Sequence, residues 1–477
     1  MKPQIFAGLA LSVLACAAPA LAASGEVGEA ARNGLNLTIY GNGLALFDEQ
    51  RRVRLKKGIN TLNILGISPG MIADSARVET GGKLALDEQG FLAANLSARN
   101  LLKTYLGRRV EIITTNPKSG KESIREADVL SVNPDIILRI DGRIETMAPG
   151  RIGFSQIPAT LRPRPVFRIS GRSALGGESG LGLSYLSNGF SWRASHALTV
   201  DDKSATVRLE SRAMLINRSG LDIKAAHIQI VAGTVQRRTG PDRNQRPEAA
   251  ALRMMKANGA PAADGIAPPA RQSLGGFHLY ALSGNIDLAD QTSKQVTLLA
   301  PVTLPVKRRL ISESHANPFA RLQGAPNPTH PRIRLTLNND KTAGPGQPIP
   351  GGIVRIYGKD AEGRTRFLGE DHLQDLPVGA ETSISGGQAF DITVTRHQTD
   401  YRRENLGRNT FEMAYRITLT NGGERPETVQ VIEAIGGDWS VLEENRKHSR
   451  DNNRISWTID VPAKGGADVT YRVRVRR

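Results

Sequence analysis

The stretch from Leu183 to Gly233, LSYLSNGFSWRASHALTVDDKSATVRLESRAMLINRSGLDIKAAHIQIVAG, decides the fold class. Apolar residues recur at every second position in Ala205-Val207-Leu209 and again in Ala213-Leu215, with Thr206, Arg208, Glu210 and Met214 between them. Successive side chains of a strand point to opposite faces, so this period marks half-buried strands. Asn188-Gly189, Asp201-Asp202 and Asn217-Arg218-Ser219-Gly220 separate the runs with turn chemistry. Trp192 falls in the second run, where one large aromatic can plug the space between two sheets.

Outward from this stretch the same pattern recurs. On the N-terminal side, strands are expected at 35–40, 44–47, 61–65 and 76–80. Residues 98–106 read as the best short helix: Ser97 can cap it, Leu101, Leu102, Tyr105 and Leu106 share a face, and Gly107 stops it. Short strands at 109–114, 127–132, 136–140 and 143–147, with hairpin signals at Asn116-Pro117-Lys118-Ser119-Gly120 and Asp141-Gly142, suggest a small SH3-like barrel over 107–158. Residues 160–165, rich in Pro and Arg, read as an extended connection. On the C-terminal side, 236–272 is rich in Arg, Ala, Pro and Gly and reads as a long flexible loop with one possible helix at 247–257. Strands resume at 277–282, 295–299, 332–337, 352–357 and 365–368, and the last domain alternates at 412–420, 427–434, 454–461 and 468–475.

The fold expected is mainly β: several β-sandwich or small-barrel domains in tandem, with one short helix in the N-terminal region. A chain of 477 residues fits about three domains. The boundaries expected are 34–165, 170–337 and 338–477, after a leader at 1–22. That leader has Lys2 as its charged start, an apolar run over 5–18, a helix-breaking Pro19 and a small-x-small site at Ala20-Leu21-Ala22. Cleavage after Ala22 places the protein in the periplasm or outside the cell. The alternative is Val13-Leu14-Ala15-Cys16 as a loose lipobox, making an outer-membrane lipoprotein through Cys16, the only cysteine. Cleavage after Ala22 leaves a mature chain without thiols, which rules out disulfides and cysteine catalysis. The apolar run is too short to span a membrane.

The formal charge of +17 points to anionic partners. For an exported protein these are an anionic lipid, an acidic glycan or an envelope protein rather than nucleic acid. The basic residues are spread out, with one loose cluster at Arg162, Arg164, Arg168 and Arg172 and another at Lys307-Arg308-Arg309. In the last strand, Arg472, Arg474 and Arg476 alternate with apolar residues, a pattern that shields an edge strand.

Four stretches carry a family resemblance. They are Ser184-Tyr185-Leu186 with Gly189-Phe190-Ser191-Trp192-Arg193-Ala194; the run ending Val231-Ala232-Gly233; Ile349-Pro350-Gly351-Gly352-Ile353-Val354-Arg355-Ile356-Tyr357 with Phe367-Leu368-Gly369-Glu370-Asp371; and Gly386-Gly387-Gln388-Ala389-Phe390-Asp391 with Val431-Ile432-Glu433 and Gly437-Asp438-Trp439. Together they resemble the bacterial family called domain of unknown function 4139 (DUF4139), related to mucoidy-inhibitor-like proteins. Residues 35–158 also resemble the N-terminal portion of such proteins. The chain departs after Trp192-Arg193-Ala194, where the family tends to continue with an acidic residue and a tyrosine and this sequence has Ser195 and His196. The resemblance implies β-sandwich domains in exported proteins and brings no catalytic set with it.

No catalytic or cofactor-binding residue is read from the sequence, and no cofactor is expected. Gly66-Ile67-Ser68-Pro69-Gly70 matches the GxSxG spelling, but that motif needs a strand-to-helix elbow and an N–H after the serine, which Pro69 lacks. The densest metal candidates are Glu370, Asp371 and His372, with Asp375 nearby, and a solvated acidic turn is the plainer reading. Trp192 and Trp439 read as core plugs. The function expected is a non-enzymatic envelope binding or scaffolding protein. The alternatives are a hydrolase of envelope polysaccharide, whose carboxylates would meet only in space, and an assembly module pairing through edge strands.

Overall fold

In the computed structural model, strands carry most of the chain from Glu26 to Arg476. The structure describes residues 25–201, 205–233, 235, 271–274, 276–316, 321, 327–340, 344–403 and 409–476. The leader with Cys16 and nearly all of the 236–272 loop, including its possible helix, lie outside the described residues.

The chain is mainly β, with several separate sheets, and divides into two compact units. The first takes residues up to Trp192, then 215–235 and 273–294; the second takes Arg193–Met214 and the chain from Gln295 onward. In the first unit, a seven-stranded sheet runs Arg271–Leu274, Phe277–Leu288, Ile223–Ala232, Arg32–Tyr40, Leu44–Leu55, Gly177–Asn188, Arg77–Glu79. A four-stranded sheet runs Glu26–Val27, Gly58–Ile64, Val166–Ser173, Ala85–Leu92. Parallel pairing joins Arg32–Tyr40 to Ile223–Ala232, with Leu37 opposite Ile228.

The helix forms at Ala98–Thr104 for the expected reasons. Ser97 is extended and its side chain accepts a hydrogen bond from the Asn100 N–H, and Gly107 follows with φ +72°. Leu102 and Tyr105 pack with Val110, Ile112, Val129, Leu138 and Ile140 of a five-stranded sheet. That sheet runs Arg143–Glu145, Ile136–Ile140, Glu122–Val132, Arg109–Thr115, Arg151–Gly153 and is not closed into the small barrel expected over 107–158. The helix, together with Phe154, already covers its apolar face, so burial does not require closure.

The second unit is carried by three sheets. One runs Thr292–Pro305, Thr206–Asn217, Phe190–Asp201, Gly352–Lys359, Thr365–Leu373. The others are a six-stranded sheet centred on Lys307–Ala316 and Glu427–Ile435, and a four-stranded sheet of Ile392–Arg402, Thr410–Asn421, Gly466–Arg476 and Asp438–Glu444. The last two share one core, in which Leu310, Val431 and Trp457 of one meet Met413, Tyr415 and Tyr471 of the other. The strand Gly466–Arg476 corrects an expectation: it is flanked on both sides, by Thr410–Asn421 and Asp438–Glu444. Its arginines therefore do not shield an edge, and two of them pair with carboxylates, Arg472 with Asp400 at 2.7 Å and Arg474 with Glu412 at 2.6 Å.

Candidate functional site

The strand Leu44–Leu55 starts the construction of the site. Phe47, Val53 and Leu55 face the core, and the two-residue period puts Glu49 and Arg51 on the same face, both fully buried. Buried charges persist only when paired and hydrogen-bonded. Arg51 Nε and Nη2 donate to Glu49 Oε1 at 3.1 and 2.8 Å. Its Nη1 donates to the carbonyls of Val27, Gly28 and Leu65 at 3.1, 3.3 and 2.8 Å. Arg32 Nε lies 2.7 Å from Glu49 Oε2 as an ion contact, and Arg32 Nη2 donates to the Gly66 carbonyl at 3.2 Å. Burial pulls the Arg51 pKa below its usual value against the opposing pull of Glu49, yet a guanidinium starts so high that it stays charged at neutral pH. The buried Arg51 and the half-buried Arg32 thus fasten residues 27–28 and 65–66 from behind.

Those fastened segments line an open cleft of about 720 Å³ together with residues 159–168. This size lies within the range of small-molecule sites. The 160–162 segment is held by Asn95: its Nδ2 donates to the Thr160 carbonyl (3.2 Å) and its Oδ1 accepts from the Arg162 N–H (2.7 Å). The backbone N–H groups of Asn95 and Leu96 both donate to the Arg162 carbonyl. Pro163 and Pro165 further restrict the chain. Pairing registers place Glu26 beside Asn63 on one side and Arg168 beside Asn63 on the other, so the three form one row across the sheet. Arg168 Nε donates to Asn63 Oδ1 at 2.9 Å.

Three guanidiniums of the sequence cluster, Arg162, Arg164 and Arg168, line this cleft with Glu26 and Glu29. None of the five makes an ion pair with another described residue, and no carboxylate oxygen of a described residue lies within 4.0 Å of the three arginines. The fourth member of the cluster, Arg172, is paired with Asp87 at 3.3 Å and does not line the cleft. Glu29 is placed by a glycine. Gly66 has φ +70°, and a Cβ there would collide with the Glu29 side chain, so its absence makes the room in which that side chain lies. Free guanidiniums in a cleft can bind phosphate or carboxylate oxygens through paired N–H donors.

The other singled-out residues lie elsewhere. Glu370, Asp371 and His372 stand on the strand Thr365–Leu373, whose alternation turns Asp371 away from its two neighbours. Glu370 contacts Arg355 at 3.4 Å. Asp371 accepts from the backbone N–H groups of His372 (2.8 Å) and Ser385 (2.6 Å), and Asp375 accepts from that of Gly351 (2.6 Å). Trp192 is buried and donates from Nε1 to the Val231 carbonyl at 3.0 Å. Trp439 is buried with the Arg450 guanidinium 4.0 Å from its ring centre. Ser68 of the GxSxG spelling is fully buried and its Oγ accepts from Ser187 Oγ at 2.7 Å. Asp201 ends the strand Phe190–Asp201, and Asp202 lies outside the described residues.

Ser195 and His196, where the chain departs from the family pattern, both serve the second unit. Arg355 Nη1 donates to Ser195 Oγ at 3.3 Å. His196 is buried between Ser211 Oγ and the Pro350 carbonyl, each 2.9 Å from a ring nitrogen. A carbonyl only accepts, so Nε2 carries the proton and Nδ1 accepts from the Ser211 hydroxyl. Burial pushes the His196 pKa down to about 4, and the ring is neutral at pH 7.

Glu26, Glu29, Asn63, Asn95, Glu49 and Arg51 were not singled out by sequence. The signal for two of them is in the chain: Phe47, Val53 and Leu55 at even spacing place residues 49 and 51 on the core face of one strand.

Among curated proteins, none matches the chain. The profile of one family, described as domain of unknown function (DUF4139), matches residues 181–477, which include all four stretches of the resemblance. Residues 34–165 and the cleft lie outside that match. Because the matched segment is more than half of the chain, the protein belongs to the DUF4139 family.

Proposed function

We propose that the protein is a non-enzymatic binding protein of the cell envelope, whose cleft in the first unit holds an anionic group of an envelope component. The observation carrying this reading is the set of three guanidiniums, Arg162, Arg164 and Arg168, that share an open cleft without an ion pair among the described residues. The fourth arginine of the sequence cluster, Arg172, is by contrast covered by Asp87. Unpaired and clustered, the three attract an anion and bind it in bidentate fashion. The leader at 1–22 and the formal charge of +17 support an envelope setting with anionic partners. No helix among the described residues is long and apolar enough to cross a membrane.

The test is titration calorimetry of the mature chain with glycerol 3-phosphate at low ionic strength. Binding is expected in the wild type and lost in Arg162→Gln/Arg164→Gln, and it weakens as salt is added. A wild-type protein that takes up no anion, or a double variant that binds as well as wild type, overturns the cleft. Turnover of an envelope glycan or ester by the purified protein overturns the non-enzymatic part.

A further inference from the structure

We infer that the cleft is built for a zwitterion: a phosphate carrying an ammonium group, of the phosphoethanolamine class. The inference deepens the anion-binding reading above and rests on it. An anion alone calls for guanidiniums, and the cleft holds two carboxylates as well, Glu26 and Glu29. Carboxylates beside unpaired arginines oppose anion binding unless the ligand itself brings a positive charge for them.

The backbone that carries both carboxylates is fixed in place. Glu26 sits in the parallel pairing with Asn63, in the row that ends at Arg168. Glu29 lies across Gly66, whose carbonyl is held by Arg32. Their backbone support, Val27 and Gly28, is bonded to the fully buried Arg51. Neither carboxylate makes an ion pair with Arg162, Arg164 or Arg168, so opposite charges share the cleft without neutralising one another. A ligand with separated charges of matching sense completes both sets.

Three guanidiniums exceed what one carboxylate uses, since a single fork already satisfies its two oxygens, and they match the oxygens of a phosphate. A primary ammonium offers three N–H donors, which two carboxylates can accept; a quaternary ammonium offers none.

The experiment compares phosphoethanolamine with glycerol 3-phosphate and with ethanolamine by titration calorimetry on the mature chain. Phosphoethanolamine is expected to bind at least about tenfold more tightly than glycerol 3-phosphate, the size of one charge-assisted hydrogen bond. Glu26→Gln/Glu29→Gln is expected to erase that preference and to leave glycerol 3-phosphate bound as well or better. Both substitutions are at exposed positions, and the wild-type comparison of the three probes needs no variant. If wild type binds the two phosphates equally, the zwitterion falls and the anion cleft stands; if it binds neither, both fall. Co-sedimentation with phosphatidylcholine vesicles containing phosphatidylethanolamine, but not with phosphatidylcholine alone, assigns the group to a lipid surface. Binding of free phosphoethanolamine without co-sedimentation upholds the zwitterion and assigns it to a glycan or another soluble carrier.

Discussion

Each of the two units sets an arginine against a buried glutamate and a buried tyrosine in its core, and the two arginines are bonded differently. In the first unit Glu49 and Arg51 stand on one strand, two residues apart. Arg51 spends all three nitrogens, on Glu49 and on three backbone carbonyls, and Tyr185 Oη accepts from the Ser68 N–H at 3.3 Å. In the second unit the pair bridges two sheets, with Arg396 Nε donating to Glu433 Oε1 at 2.7 Å. Ser314 Oγ donates to the same oxygen at 2.6 Å, and the Arg396 guanidinium lies 3.7 Å from the centre of the Tyr415 ring. Here Arg396 Nη2, Glu433 Oε2 and Tyr471 Oη are buried without a hydrogen-bond partner, as Arg32 Nε and Glu49 Oε2 are in the first unit, where the two lie 2.7 Å apart as an ion contact.

The titration of the two arginines differs accordingly. Burial outweighs Glu49 at Arg51, whose carboxylate is shared with Arg32, and the pKa falls. At Arg396 burial also opposes the charge, but Glu433 outweighs it and the pKa rises. The first cluster holds loop backbone in place by hydrogen bonds; the second holds two sheets together by charge. The same three residue types therefore give an arginine with all three nitrogens bonded in one unit and one with an unbonded Nη2 in the other.

The sharpest way to break this contrast is to remove each charge in turn. Arg51→Met leaves the fully buried Glu49 with Arg32 as its one remaining cation and frees three carbonyls, and should cost about 3–5 kcal/mol in urea unfolding. Glu433→Gln keeps an acceptor for Ser314 and leaves Arg396 on its tyrosine ring, and should cost about 2 kcal/mol. An equal or larger loss for Glu433→Gln would show that the orphaned atoms do not mark the weaker network.

Acid sharpens the comparison, because the second unit also buries a neutral titrating group. His196 has a folded pKa of about 4 against a usual value of 6.5. Between these values the unfolded chain binds the extra proton, so stability rises with pH across this window. It is full above pH 6.5, declines as the pH falls, and levels off below pH 4 with roughly 3 kcal/mol lost. His196→Gln should flatten that decline in unfolding curves taken at pH 4 and pH 7. An unchanged slope would place the acid sensitivity in another group.

What could be read from the sequence follows the range of the interactions. The strands and the helix Ala98–Thr104 were legible because alternation, the Ser97 cap and Gly107 act within a few residues. The arginine cluster was legible as composition, but its sorting was not. That Arg168 meets an amide and Arg172 a carboxylate depends on Asn63 and Asp87, about a hundred residues away in the chain. Glu29 and Gly66 meet only once the strand pairs have formed. The reading of Arg472, Arg474 and Arg476 as edge shields failed for the same reason, since an interior strand with paired arginines has the same alternation as a guarded edge.

The smallest expected effect isolates the slack. Tyr185 and Tyr471 are both buried, and burial raises the pKa of each hydroxyl, so both carry their proton at neutral pH. Removing an oxygen that has a partner orphans that partner, whereas removing one without a partner takes away only its desolvation cost. Tyr185→Phe leaves the buried Ser68 N–H without its acceptor and should lose about 1 kcal/mol. Tyr471→Phe removes an oxygen with nothing bonded to it and keeps the ring against Trp457 and Tyr415, so it should be neutral or stabilising by up to about 1 kcal/mol. Opposite signs for one chemical change would establish that the two clusters differ in hydrogen-bond satisfaction rather than in packing. A loss at Tyr471 as large as at Tyr185 would mean that Arg396 Nη2 and the Tyr471 hydroxyl bond to each other, and the contrast between the units would rest on charge alone.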